Sequence, residues 1–340
     1  MREYLRRTCD EGWIIDLSPE GNRPETSTRI FGAGVGRQLS IGIFARSGHP
    51  KLSTPAVIHH ATLAGTRNEK LVQLDDLHVD TRAWKTCQKG WQDPFLPASG
   101  GSWEECLSLP DLMPWASRGV TTGRTWIYAP DPSILRSRWQ AFIAADIDVR
   151  KHLFHEARDR KITTHVEPLP GFPRFQDTLA SETSDLIEPI QVGYRSFDRQ
   201  WVIPDNRLMV VPRPPLWAVR SDRQVYVTEQ NSHPVETGPG LTFTGLIPDI
   251  HHYNARSGRV FPLFRNPEGT IANFTPDLVP FLGRRLGCPI SAVDLLAYIA
   301  GVVAHPGYTR RFHAELRQPG IRVPLTADFI IGKLCTPPRY

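Results

Sequence analysis

The sequence has 340 residues, 40% of them hydrophobic and 22% charged, the balance of a folded soluble protein with room for two ordinary domains. No apolar run approaches the ~20 residues that span a bilayer, and the charged N-terminus lacks the apolar core of a secretory signal. A membrane protein is therefore excluded and the cytoplasm expected, while the net charge of +5 suits an anionic partner without naming one.

Arg2 to Glu11 has helical character, and Trp13 to Leu17 is expected to form a buried strand. After a polar loop from Ser18 to Thr28, Gln38 to Arg46 and Ala56 to Leu63 are further strand candidates, joined across a Gly/His/Pro segment. Thr66 to Leu77 has helical spacing, with Leu71, Leu74 and Leu77 on one side. Val79 to Pro114 is irregular but carries Trp84, Trp91 and Trp103, with Trp115 just beyond, the pattern of a long ordered connection held by aromatic anchors. Pro132 to Arg160 reads as helix. Ile190 to Phe264 is rich in strand signals, with alternation in Val225–Gln230 and Leu241–Pro248. Helices are expected again over Asp277–Leu286, Ser291–Ala304 and Pro306–Leu316, with Ser291 and Asp294 forming a capping box.

Few motifs carry chemistry. Gly32-Ala33-Gly34-Val35-Gly36 lacks the Gly-x-Gly-x-x-Gly spacing of a dinucleotide fold, and no phosphate-binding loop of the NTPase type occurs. The five cysteines form no Cys-x-x-Cys pair, so reduced, mostly buried thiols are expected. Neighbouring histidines such as His59-His60 point to opposite faces of a strand and share an ion poorly. An amino-methyltransferase needs an Asn/Asp/Ser-Pro-Pro-aromatic loop to hold its flipped base. Pro214-Pro215 sits between Arg213 and Leu216, and Asn266-Pro267 precedes Glu268, so neither is that loop.

Two clusters suit nucleic acid. Gly119-Val120-Thr121-Thr122-Gly123-Arg124 is a polar turn whose amides, hydroxyls and guanidinium are suited to a phosphate. Tyr194 to Trp201 interleaves aromatic and basic residues, and an extended strand there puts Arg195, Phe197 and Arg199 on one face. An Arg–Asp pair beside core aromatics explains the same residues equally well. Between Tyr194 and Arg265 there are nine arginines and no lysine, which either reflects phosphate and guanine recognition or the scarcity of lysine along the whole chain. The loop His251-His252-Tyr253-Asn254 offers an amide able to pair with adenine.

The segments REYLRRTCDEGWIIDL, IFGAGVGRQLSIGIFAR, GVTTGR, YRSFDRQW, RPPLW and GYTRRFHAELRQPGIRVPLTAD, in this order, resemble the type ISP restriction-modification enzymes. Those are single polypeptides combining nuclease, helicase-like translocase, adenine-N6 methyltransferase and target recognition domain. The resemblance implies a mixed α/β chain. Residues 1–66 would be the trailing strands of a methyltransferase-like α/β sheet, and 67–185 a Trp-rich connector and helical coupling region. Residues 186–340 would be an α+β specificity domain with a β-rich middle and a helical C-terminus. It implies double-stranded DNA as partner, with Thr122, Arg124, Tyr194, Arg195, Arg199, Trp201, Arg213, His252 and Asn254 as contact candidates. No catalytic residue, metal or cofactor is expected in this chain; S-adenosylmethionine is expected for a complete enzyme. The readings left open are a target recognition module working with a separate methyltransferase/translocase subunit, a complementing half of a split methyltransferase, and a truncated remnant.

Overall fold

The computed structural model describes the chain except for residues 21–24, 32–38, 49–52, 88, 92, 94, 98–101, 159, 176, 230–237, 254–257, 314, 318–319 and 326–340. The Gly32–Gly36 segment and Asn254 thus lie outside the described residues. Two compact units divide the chain, Met1–Glu105 and Cys106–Tyr340.

The first unit contains α1 (Arg2–Thr8), β1 (Glu11–Asp16), β2 (Ser40–Ala45), β3 (Val57–Thr62), α2 (Arg67–Asp75), β4 (Lys85–Thr86) and α3 (Ser102–Glu105). The strands form a mixed sheet in the order β2-β1-β3-β4. β1 runs antiparallel to β2 and parallel to β3, so the segment joining β2 and β3 crosses over a strand instead of closing a hairpin. Ile15, Leu17, Ile30 and Leu63 form one small core, against which Leu74, Leu77 and Trp84 pack. Leu71, expected on that side of α2, is more than a third exposed, and Lys70 is buried in its place. The physical reason lies in its partners. Lys70 Nζ donates to the carbonyl oxygens of Leu17 and Thr28 at 2.9 and 3.0 Å and pairs with Glu20 at 2.8 Å, so its charge is fully met inside. Thr66 and Glu69 close a capping box at the start of α2. His59 stacks on Trp13 while His60 faces the other way and is buried, as strand alternation requires. Trp91 lies beneath the Arg7 guanidinium at 4.3 Å and Trp103 is buried, so the irregular stretch does carry aromatic anchors.

The second unit begins with β5 (Leu107–Ser108), α4 (Leu109–Leu112) and β6 (Tyr128–Ala129), followed by α5 (Pro132–Ala144), α6 (Ile147–Phe154), β7 (Ile190–Arg195) and β8 (Asp198–Val202). Then come α7 (Pro214–Ala218), β9 (Tyr226–Glu229), β10 (Leu241–Thr244), β11 (Val260–Pro262), α8 (Leu278–Leu286), α9 (Ala292–Ala304), α10 (Pro306–Arg311) and β12 (Arg322–Val323). Small antiparallel sheets run β6-β8-β7, β10-β9-β11 and β12-β5. The expected single helix from Pro132 to Arg160 is broken at Ala145, because Asp146 caps a new helix by accepting from the Asp148 and Val149 amides. Ser291 and Asp294 form the expected capping box on α9. The core gathers Leu135, Trp139, Phe142 and Phe154 from the helices with Val192 and Val202 from the strands. Each such side chain contributes roughly 1.5–3 kcal/mol on burial. Asn273 is fully buried and pins the backbone of Trp115 through both its N–H and its carbonyl. Cys9, Cys87 and Cys106 are free thiols, the latter two buried. Among the described residues no helix is long and apolar enough to cross a membrane.

Candidate functional site

The polar turn at 119–124 is built into the second unit's interior. Gly119 passes so close to Asp249 that a Cβ would lie 2.5 Å from the Asp249 carbonyl oxygen, and Val120 and Asp249 bridge there. Thr122 is buried, its hydroxyl donating to the Arg124 carbonyl oxygen at 3.0 Å. Arg124 is only 5% exposed. Its Nε donates to Phe154 O at 2.7 Å, Nη1 to Leu208 O, and Nη2 to His155 O and Arg160 O. The guanidinium also stacks over the Phe154 ring at 3.8 Å. Burial lowers its pKa to about 10, which still leaves it charged at neutral pH. The donors that a phosphate would use are spent on backbone carbonyls, two of them (Phe154 and His155) where α6 ends and the others at Arg160 and Leu208.

The Tyr194–Trp201 cluster takes a different shape from the extended strand expected. β7 and β8 form a hairpin with Arg195 opposite Asp198, so Ser196 and Phe197 make the turn. The ladder shifts register between Gly193 and Arg195, which marks a bulge at Tyr194. Phe197 has φ 64° and is fully exposed. Arg199 is exposed beside it, and the Arg195 guanidinium is partly exposed. Trp201, in contrast, packs against the core.

Asp249 is the hub beneath the hairpin. It is 4% exposed, and its Oδ1 accepts from Arg195 Nη1 at 3.1 Å and from the His251 amide at 2.8 Å. Its Oδ2 accepts from the Tyr128 hydroxyl at 2.8 Å. Tyr128 in turn meets the Tyr194 ring edge-on at 4.9 Å, and Arg195 lies 4.0 Å over that same ring. Burial first, and the Asp249 charge second, hold the Tyr128 hydroxyl protonated far above the usual tyrosine range. Asp249 and Tyr128 carry no motif that marks them in the sequence, because the chain brings them together from two separate segments.

His252 is 3% exposed, with Nδ1 3.0 Å from Thr228 Oγ1. Thr228 and Thr242 face each other across β9 and β10, their hydroxyls 2.6 Å apart. Burial pushes the His252 pKa down to about 4, so the ring is neutral. Gly193 packs flat on it: a Cβ there would stand 2.8 Å from His252 Cδ2. Arg213 caps α7 with φ 57°, and its Nε is buried without a hydrogen-bond partner among the described residues. The arginine-rich region divides by role. Arg207 pairs with Asp205 and Glu182 at 2.7 and 2.6 Å, and Arg259 with Glu229, all three carboxylates being buried. Arg199, Arg220, Arg223 and Arg265 are exposed.

A cleft of about 530 Å3 lies among Phe172, Arg174, Phe175, Asp185, Glu188 and Ile190. Its charges are of both signs. Among the described residues no group of three or more His, Cys, Asp or Glu is placed to hold a metal ion.

The family model of the type ISP C-terminal specificity domain matches residues 111–330, more than half of the chain. The chain belongs to that family. The matched span contains the β7–β8 hairpin, the Asp249 hub and the buried Arg124 turn. No curated protein matches the chain. Among solved structures, the cryo-EM structure of the DrdV–DNA complex is similar at 15% identity and a TM-score of 0.54, covering 98% of this chain and 35% of that one. The ATP-dependent type ISP restriction-modification enzyme LlaBIII, bound to DNA, is similar at 14% identity and a TM-score of 0.53, covering 95% of this chain and 22% of that one. At these identities the likeness is one of fold, and the chain spans about a third or less of either neighbour.

Proposed function

We propose that this type ISP specificity domain recognises a duplex DNA target for a restriction-modification enzyme acting on adenine N6. The observation that carries the reading is the β7–β8 hairpin, whose fully exposed Phe197 tip stands on a braced support within the family-matched span. Arg195 (opposite Asp198) lies on one face of the ribbon and Arg199 (opposite Gly193) on the other, rather than on one shared face. Both similar structures above hold DNA, which supports DNA as the ligand class.

In this reading Arg195 and Arg199 approach phosphates or base edges, with Tyr194 stacked behind Arg195. Thr122, Arg124, Trp201 and His252 act from beneath by holding the hairpin's support. Arg213 and Asn254 complete the set of proposed groove contacts. The test is titration of fluorescent duplex DNA with the full chain over a salt series. Steep salt dependence together with preference for one duplex over others of equal length supports the reading. Binding that salt abolishes with no preference among duplexes would sink it.

A second reading concerns the first unit, whose parallel β1–β3 pair flanked by antiparallel β2 supports descent from the trailing strands of a methyltransferase-like sheet. Ile43 and Val57 are exposed on the same face as Trp13, as a strand set docking on a separate methyltransferase subunit would need. In this reading S-adenosylmethionine is held by the proposed partner, in a cytoplasmic phage-defence system. Mixing the chain with a subunit that carries the catalytic loop and following methyl transfer to adenine tests this. Transfer that is unchanged by adding the chain would contradict it.

A further inference from the structure

We propose that Phe197 is a wedge that inserts between adjacent base pairs of the bound duplex, an inference that rests on the DNA-recognition reading above. The ring stands at the tip of a two-residue turn and is fully exposed, so it contributes nothing to the core. Its φ of 64° is a region that glycine or asparagine occupies at little cost and an aromatic residue does not. A fully exposed ring held in a strained conformation is the reverse of what folding alone selects, and such strain concentrates where a side chain meets a ligand.

The support is rigid in the direction a wedge needs. Ser196 Oγ donates to the His252 carbonyl oxygen at 2.7 Å, and Arg195 is tied to buried Asp249 at 3.1 Å. The tip therefore resists being pushed back into the protein. Charge selects the ligand. The exposed Arg199 on one strand and, on the other, the partly exposed Arg195 paired with Asp249 stand near the ring beside the exposed Asp198. The two guanidinium groups suit a polyanion with stacked apolar faces inside it. A two-stranded ribbon is narrow enough to enter a groove, and apolar wedges part base steps most readily at pyrimidine–purine steps. Phe197 thus reads deformability at a step that no hydrogen bond specifies.

The experiment selects a randomised duplex pool with the full wild-type chain, then measures affinity and DNA bending on the enriched duplex. Phe197→Ala, Phe197→Gly and Phe197→Leu are compared with wild type. Glycine suits the positive φ, so its melting temperature should equal or exceed that of wild type and separates folding from binding. The expected result is a motif containing a pyrimidine–purine step. Alanine and glycine should weaken binding to it about tenfold or more and abolish the bend, while leucine retains both in part. A motif bound and bent equally by wild type and the glycine variant would overturn the wedge and leave DNA recognition standing. No enriched motif with wild type would overturn the recognition reading, and the wedge with it.

Discussion

Ser196 Oγ donates to the carbonyl oxygen of His252 at 2.7 Å, joining the hairpin turn to a loop 56 residues further along the chain. The same loop supplies Asp249 to Arg195, and the His252 ring lies against Gly193 on the hairpin's own strand. The exposed tip and its buried support thus form one structure. Gly193→Ala tests this. Its Cβ would meet His252 Cδ2 at 2.8 Å, so the substitution should cost about 1–3 kcal/mol in stability. DNA affinity should fall as the hairpin is displaced. Urea unfolding with a parallel binding titration reads both, and an unchanged midpoint would count against the close packing.

Arg124→Lys should lower stability by about 2–4 kcal/mol. Lysine keeps the charge but cannot reach the carbonyl oxygens of Phe154, Leu208, His155 and Arg160 together. A midpoint in urea within error of wild type would show that the buried fork does not hold this region together.

His252 makes stability depend on pH. Its folded pKa, about 4, lies below the ordinary 6.5, so the unfolded chain binds a proton more readily. The stabilisation is fully present above pH 6.5 and is lost as pH falls from 6.5 towards 4, at most about 3 kcal/mol. In melting curves across that window, His252→Asn should show a shallower decline than wild type. Parallel curves would contradict the buried neutral ring.

Arg199→Ala should leave melting unchanged, because the side chain is exposed. It should reduce the slope of log affinity against log salt by about one unit if Arg199 meets a phosphate. Arg195→Ala should do the same with a small loss of stability, since Asp249 keeps the Tyr128 hydroxyl and the His251 amide. A double variant with the wild-type slope would remove the hairpin from the DNA-binding surface.

The helices were the most legible part of the chain, and the Ser291–Asp294 box shows why: capping is local chemistry, complete within four residues. Where tertiary partners decide, the sequence reads less well. Leu71 and Lys70 exchange their expected places because Lys70 finds two carbonyls and Glu20, residues far away in sequence. The run from Tyr194 to Trp201 looks like one strand because Ser-Phe carries no turn signal; the bulge and a left-handed Phe197 make the turn. The polar residues of the 119–124 turn look suited to a phosphate in the sequence, yet Thr122 and Arg124 meet buried backbone instead. Polar side chains announce hydrogen bonding but not the partner.

The most direct measurement of the central claim is a competition at physiological salt between the duplex enriched by the full chain and a scrambled duplex of equal composition. A target recognition module predicts that the scrambled duplex competes about 10³-fold more weakly or worse. Equal competition by the two duplexes would contradict the account.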